Sequence, residues 1–334
     1  MQIKQYQKAL LAWHAHQGRH QLLWRLDYDA YKVWLAEIML QQTTVATVGS
    51  YYVKFLAKYP TVQALAAASE DEVLTLWQGL GYYSRARNLR KCAQVVVAEY
   101  QGVFPQTEEG LLALPGIGGY TAAAIRSIAY NQPAAVVDGN VERIIARLAC
   151  LPYSPKEKPT EIKKLAQTMA EGASSPRAYS EALMDLGATI CTPKSPKCLL
   201  CPVKDFCGAL KSSEVEKYPL KLAKKKRPAL TGQVYVVQDK DGRYYLQKRP
   251  EKGLLAGLYE FPSCGWQKNA LPDWLDTTEA EYKGVITHVF THLELTLEVY
   301  HLTLDVKKTD WVAAVDLKDY ALPTLMKKVL TTVK

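Results

Sequence analysis

Four sets of residues in this 334-residue chain have the types and spacing to do chemistry. Cys191, Cys198, Cys201 and Cys207 follow one another as Cys-x6-Cys-x2-Cys-x5-Cys, which lets four thiolates surround one metal centre. Zinc accepts such a set as a closed structural site, and so does an iron–sulfur cluster. Glu37 lies in Val33-Trp-Leu-Ala-Glu37-Ile-Met-Leu-Gln-Gln42-Thr43, a strongly apolar helical pattern. Burial there is expected to raise its pKa until it can act as an acid near neutrality. A buried structural glutamate is the plainer reading. Asp138, in Val136-Val-Asp138-Gly-Asn140-Val-Glu-Arg143, precedes a helical run and suits an N-cap. A carboxylate held at a helix start stays ionised and can also face a developing cation. Leu114-Pro-Gly-Ile-Gly-Gly-Tyr-Thr-Ala122 sets Gly116 and Gly118 in a tight turn before a helix, where bare backbone N–H groups can meet phosphate oxygens. A simple helix–helix turn is the commoner use of such a string.

The elements that must carry these residues change in kind along the chain. Apolar positions recur at helical spacing over Tyr31–Thr44, Asp71–Gln78, Leu89–Tyr100, Thr121–Tyr130, Asn140–Ala149, Thr160–Glu171 and Tyr179–Ala188. Gly79-Leu-Gly81, Pro115–Gly119 and Pro152 punctuate them. Residues 214–231 read as a basic linker with Lys221, Lys224, Lys225, Lys226 and Arg227. From Gly232 alternation takes over, with strands expected at Val234–Gln238 and Arg243–Gln247 about an Asp241-Gly242 turn, and again at Val285–Phe290 and Leu293–Leu304. Short helices are expected at Asp273–Leu275 and Leu325–Leu330. The reading is a mainly α domain over residues 1–213, a linker over 214–231, and an α/β domain over 232–334. Cys92, Cys150 and Cys264 stand apart and are expected as buried thiols.

Charge is unevenly spread. The chain carries a net +9, yet residues 232–334 hold 13 basic and 14 acidic side chains, so the whole excess lies before them. A polyanion is the natural partner of such a surface, although basic surfaces also serve solubility alone. Nothing resembles a membrane span, and Met1-Gln-Ile-Lys-Gln-Tyr leads into no apolar run, so a cytoplasmic protein is expected. Gly79-Leu-Gly-Tyr82-Tyr83-Ser-Arg85 joins aromatic and basic groups on a glycine-rich loop. There Tyr82 could stack beside an unpaired base or simply pack, and Arg85, Arg87 and Arg90 are phosphate candidates.

These strings carry a resemblance that covers essentially the whole chain. The cysteine spacing resembles the iron–sulfur loop (191–207) of the endonuclease III superfamily of DNA glycosylases, and Leu114–Ala122 resembles its helix-hairpin-helix (about 109–130). Ala36-Glu-Ile-Met-Leu-Gln-Gln-Thr43 is similar to the adenine DNA glycosylases in particular. The resemblance implies a two-lobed helical glycosylase fold with a [4Fe–4S] cluster on the four cysteines, and a C-terminal Nudix-like α/β domain. It implies that Glu37 protonates adenine at N7 and that Asp138 stabilises an oxocarbenium-like sugar, with Tyr120 and Asn140 supporting the sugar and Asp138. Tyr120 stands where strand-cleaving members carry a lysine; a phenol forms no Schiff base, so water is the expected nucleophile. Gln42 resembles the residue wedged into the duplex. Trp24-Arg25 resembles the end of the family's Leu-Pro-Trp-Arg, with Leu23 in place of the proline. Glu181 falls at a position that meets the adenine edge, where an exposed helix glutamate is the plainer reading.

Beyond residue 231 the likeness is less specific. Leu246–Arg249 and Gly253–Ser263 resemble the module that distinguishes 8-oxoguanine opposite the adenine, and Phe290-Thr291-His292 resembles its Phe-Ser-His loop, with an added methyl at Thr291. An ordinary strand-end turn is the alternative. The Arg-Glu-x-x-Glu-Glu cluster of Nudix hydrolases is missing, so pyrophosphate hydrolysis is not expected. The implied partner is double-stranded DNA with an adenine:8-oxoguanine or adenine:guanine mispair, bound by a monomer in the bacterial nucleoid; contact with a sliding clamp stays open. Two rivals are an endonuclease III-type lyase for oxidised pyrimidines, disfavoured by Tyr120 and the extra domain, and a non-catalytic DNA binder that senses redox state through its cluster.

Overall fold

A computed structural model describes residues 2–222, 226–266, 270–306 and 311–333. The helices in chain order are α1 (Ile3–Gln17), α2 (Ala30–Leu40), α3 (Val45–Lys58), α4 (Val62–Ala67), α5 (Glu70–Leu76), α6 (Ser84–Tyr100), α7 (Glu108–Leu112), α8 (Gly119–Ala124), α9 (Gly139–Ala149), α10 (Pro159–Ala170), α11 (Pro176–Thr189), α12 (Gly208–Lys211) and α13 (Thr324–Val333). The strands are β1 (Ala229–Gln238), β2 (Tyr244–Tyr245), β3 (Gln247–Lys248), β4 (Tyr259–Glu260), β5 (Ser263–Cys264), β6 (Glu281–Val289), β7 (Glu294–Thr303) and β8 (Trp311–Val312). They form two compact units: Met1–Ala67 with Lys91–Lys224, and Ala68–Arg90 with Lys225–Lys334.

The first unit is helical. One core joins Tyr6 and Leu10 of α1, Val141, Ile144 and Ile145 of α9, and Tyr179, Ala182, Leu183 and Leu186 of α11. A smaller core gathers Val33 of α2, Ala123 and Ala124 of α8, Ile128 and Val136. Local chemistry sets the helix starts: Ser175 accepts from Ala178 N ahead of Pro176, and Thr44 accepts from Thr47 N. The helix expected over Tyr31–Thr44 ends at Leu40, because Gln42 takes a left-handed φ of 56° and Thr44 caps the next helix. The segment expected as one helix over Thr121–Tyr130 widens into a π turn at Ile125–Ala129.

The second unit holds a six-stranded sheet in the order β6-β7-β1-β2-β8, with β5 also on β1. The long β1 and β7 run parallel from Ala229↔Glu294 to Gln238↔Thr303, and β6 turns back antiparallel on β7. Leu325, Met326 and Val329 of α13 cover one face, against Val234, Val236, Leu295, Leu297 and Val299. Within this unit α5 and the loop after it lie against the C-terminal residues. Thr75 Oγ1 donates to the Asp319 carbonyl at 3.2 Å, Gln78 Nε2 to the Tyr320 carbonyl at 2.6 Å, and Lys248 Nζ to Asp71 at 2.6 Å. The helix expected at Asp273–Leu275 is only a turn, closed by Leu275 N on the Pro272 carbonyl. Asp276 accepts from Thr278 N instead of letting the backbone continue. Lys224 and Lys225 of the linker lie outside the described residues, and Cys150 and Cys264 are half-buried rather than buried like Cys92.

Candidate active site

α2 brings Glu37 to a cavity of about 580 Å³ in the helical unit. Trp24, Arg25, Gln42, Tyr120, Asp138, Asn140 and Glu181 line the same cavity. Residues scattered over more than 150 positions therefore meet in one concave site.

The two acids are held in different ways. Glu37 is 4% exposed, and Tyr120 OH donates to its Oε2 at 2.7 Å. Burial pushes its pKa up to about 7, with the nearby Asp138 carboxylate adding to the rise and the Tyr120 hydrogen bond opposing it. Burial also lifts the Tyr120 phenol well above its ordinary value, followed by the charge of Glu37, so it remains a donor. Asp138 caps α9: Oδ1 accepts from Asn140 N at 2.9 Å and Val141 N at 2.8 Å, while Oδ2 accepts from Asn140 Nδ2 at 2.9 Å. The cap is therefore present as expected, and the carboxylate that accepts these three bonds also lines the cavity.

Asn140 is fixed in turn. Its Oδ1 accepts from Arg143 Nη2 at 2.8 Å, and Arg143 also donates to the Gly187 carbonyl and, through Nε at 2.7 Å, to the Cys191 carbonyl. Gly187 is needed where α11 passes α9: a Cβ there would stand 2.5 Å from Asn140 Cβ. In the hairpin, Gly116 takes a φ of +75°, whereas Gly118 is an extended N-cap of α8 with open space beside it. Only the first requires glycine for its backbone.

Glu181 is not an exposed helix residue. It is 3% exposed, and its Oε1 has no hydrogen-bond partner. Tyr28 OH reaches Oε2 at 3.4 Å, and Arg25 Nε stands 3.5 Å from Oε1. The sequence reading missed Asp185, one helical turn further along α11. It is fully buried and accepts from Arg25 Nη1 and Nη2 at 2.7 and 3.0 Å, and from Arg19 N and Nε at 2.8 and 2.7 Å. Against burial, which would raise it, bonds from His14 and Arg25 hold its carboxyl well below the usual range. Two carboxylates four apart, on a helix face shared with Ala182, Leu183 and Leu186, were the signal available in the sequence.

The four cysteines line one pocket with Arg147, whose Nη1 approaches Cys191 Sγ at 3.3 Å. Four thiolates facing a fully buried guanidinium fit a centre of net negative charge. Among the described residues no three metal-binding side chains stand close enough for a single ion.

Comparison with known proteins bears on what these residues belong to. Residues 35–171 match the HhH-GPD superfamily of base excision DNA repair proteins, residues 191–207 the iron–sulfur binding domain of endonuclease III, and residues 233–332 the NUDIX domain. The human adenine DNA glycosylase is 35% identical over 405 residues, which cover 98% of this chain and 74% of that protein. The chain belongs to the adenine DNA glycosylases. An adenine DNA glycosylase of Buchnera aphidicola subsp. Schizaphis graminum is 33% identical over the full length of both chains. Among solved structures, a thermostable thymine-DNA glycosylase is 30% identical with a TM-score of 0.56, covering 63% of this chain and 97% of that one. Endonuclease III bound to DNA, at 24% identity and a TM-score of 0.54, shares the fold. This adenine DNA glycosylase of base excision repair therefore acts on DNA and carries a [4Fe–4S] cluster, as its iron–sulfur domain requires. No described helix is long and apolar enough to cross a membrane.

In the second unit Tyr82 has a left-handed φ of 48° and is 42% exposed. Its hydroxyl bonds that of Thr291, in the turn between β6 and β7. Phe290, Thr291 and His292 line a cavity of about 560 Å³ with Tyr82, Leu254, Leu255 and His288. Arg85, Arg87 and Arg90, the phosphate candidates, donate to backbone carbonyls of Leu80 and Gly81, Ala256, and Ala68 respectively.

Proposed function

We propose that the chain hydrolyses the N-glycosidic bond of adenine mispaired with 8-oxoguanine or guanine, as a monomer and without strand cleavage. The observation that carries this reading is the Tyr120–Glu37 hydrogen bond in a cavity shared with Asp138, with a phenol where an amine would be needed to trap the sugar. The protonated Glu37 gives its proton to a ring nitrogen of the extruded adenine, N7, as the C1′–N9 bond breaks and its electron pair moves onto the base. Asp138 faces the positive charge left on the sugar. Water adds to C1′ and returns a proton to the Glu37 carboxylate. The four cysteines hold the cluster, which supplies structure beside α9 and takes no part in these steps.

Gln42, exposed at its left-handed turn, suits a wedge that supports the opened stack, and Trp24, Arg25 and Glu181 suit the base edge. Gly116 and Gly118 suit the phosphate backbone, which positions the duplex without reading it. Tyr82 with Phe290, Thr291 and His292 suits the opposite base. The domain limits 1–213, 214–231 and 232–334 remain our proposal for the chain order of these tasks. The test is excision from duplexes carrying adenine opposite 8-oxoguanine, guanine or thymine, with and without hot alkali. We expect alkali-dependent breaks, fastest opposite 8-oxoguanine. Release of an oxidised pyrimidine alone, or breaks without alkali, would overturn the reading.

A further inference from the structure

Glu181 presents a puzzle that Asp185 resolves. A carboxylate 3% exposed and lining the cavity has a guanidinium within 3.5 Å, yet Oε1 makes no hydrogen bond. Arginine normally closes on such a group with two parallel bonds. Here each terminal nitrogen of Arg25 gives one N–H to Asp185, at 2.7 and 3.0 Å, so the two-pronged end of the fork is turned toward Asp185. Only Nε faces Glu181. Asp185 is itself anchored by the Arg19 backbone and side chain, with His14 Nε2 at 3.5 Å from Oδ2, so it does not yield toward the cavity.

The two carboxylates lie four residues apart on α11 and so stack on one helix face. If Asp185 lost its charge, Glu181 would be the nearest remaining partner for the Arg25 fork. A bidentate Arg25–Glu181 pair would then occupy the oxygens that line the cavity. We propose that Asp185 is a positioning residue for base recognition: by holding the Arg25 guanidinium off Glu181, it leaves the Glu181 carboxylate open to an amino donor of the target base. This rests on the adenine reading, in which that donor is the exocyclic 6-amino group. Asp185 thereby shapes specificity without touching the substrate.

The test compares single-turnover excision of adenine with that of unsubstituted purine, which lacks the 6-amino group, opposite the same base and with the cluster-loaded protein. Both rates come from one preparation, so their ratio does not depend on the fraction that folds. Wild type is expected to favour adenine. Asp185→Asn should lower the adenine-to-purine ratio by about tenfold or more, Glu181→Leu should do likewise, and the double variant should fall no further. Arg25→Lys added to Asp185→Asn is the second probe: an ammonium has no fork to close on Glu181, so the ratio should recover in part. A ratio unchanged in D185N, one that R25K does not restore in the D185N background, or an Asp185/Glu181 double variant in which the two losses multiply, overturns the proposal alone. A wild type with no preference for adenine overturns the adenine reading and the proposal together.

Discussion

Glu37 shows how one side chain trades stability for chemistry. Its unfolded carboxyl titrates near 4.5 and its folded one near 7, so between those values the native state binds the extra proton. Stability from this group is therefore lost as pH rises through that window, by about 3 kcal/mol at most. Glu37→Gln should raise the denaturation midpoint at pH 8, leave it unchanged at pH 4, and lower single-turnover excision about 10²- to 10⁴-fold. Equal midpoint shifts at both pH values would show that the burial penalty is not the source. With the acid form as the proposed proton donor, excision should fall above about pH 7. Tyr120 donates the bond that restrains this pKa. In Tyr120→Phe the alkaline fall should thus move to higher pH; a profile shifted the other way contradicts the assignment.

Among the elements, the pairing of α9 with α11 decides whether the acid at the α9 start is usable. Asp138 accepts three bonds from Asn140 and Val141, and Asn140 is clamped by Arg143. The approach depends on Gly187, because a Cβ would also come within 3.3 Å of Asn140 Cα. Backbone at that distance cannot swing aside as a side-chain end can. Gly187→Ala should push the α9 start away and reduce excision by at least about tenfold, while mismatch binding falls less. Comparison of Kd with single-turnover rate separates the two. The helices themselves were legible from apolar periodicity, but the stop after Leu40 and the π turn at Ile125–Ala129 were not, since neither contains proline or glycine.

At the scale of the whole chain, the cysteine loop belongs to the helical core built from α1, α9 and α11. Cys191, Cys201 and Cys207 pack against it, and the buried Arg147 ties the Val215, Tyr218, Thr192 and Pro193 carbonyls together beside Cys191. Metal binding in such a loop is folding free energy. Removing the cluster, by chelation or by Cys198→Ser, should abolish the broad visible absorbance and lower the melting of the helical unit. The sheet unit, with its own core around β1, β7 and α13, should melt as before. A common loss in both units would count against independent cores.

The sequence by itself determined the chemistry available: four thiolates at fixed spacing, an acid inside an apolar helix, a second at a helix start, and a phenol in the hairpin. Those features are local, and each is written in a few consecutive residues. Which groups share a cavity depended on contacts between residues far apart in the chain, and local spacing does not encode them. Thus Glu181 turned out buried rather than exposed, and Asp185 emerged as the anchor of Arg19 and Arg25 only once α11 lay beside the turn after α1. Segment 68–90, helical by its own pattern, packs with the C-terminal sheet unit because its partners at Asp319 and Tyr320 lie some 240 residues on. Burial and partner choice are properties of the packed chain, and they set the protonation of Glu37 and the freedom of Glu181.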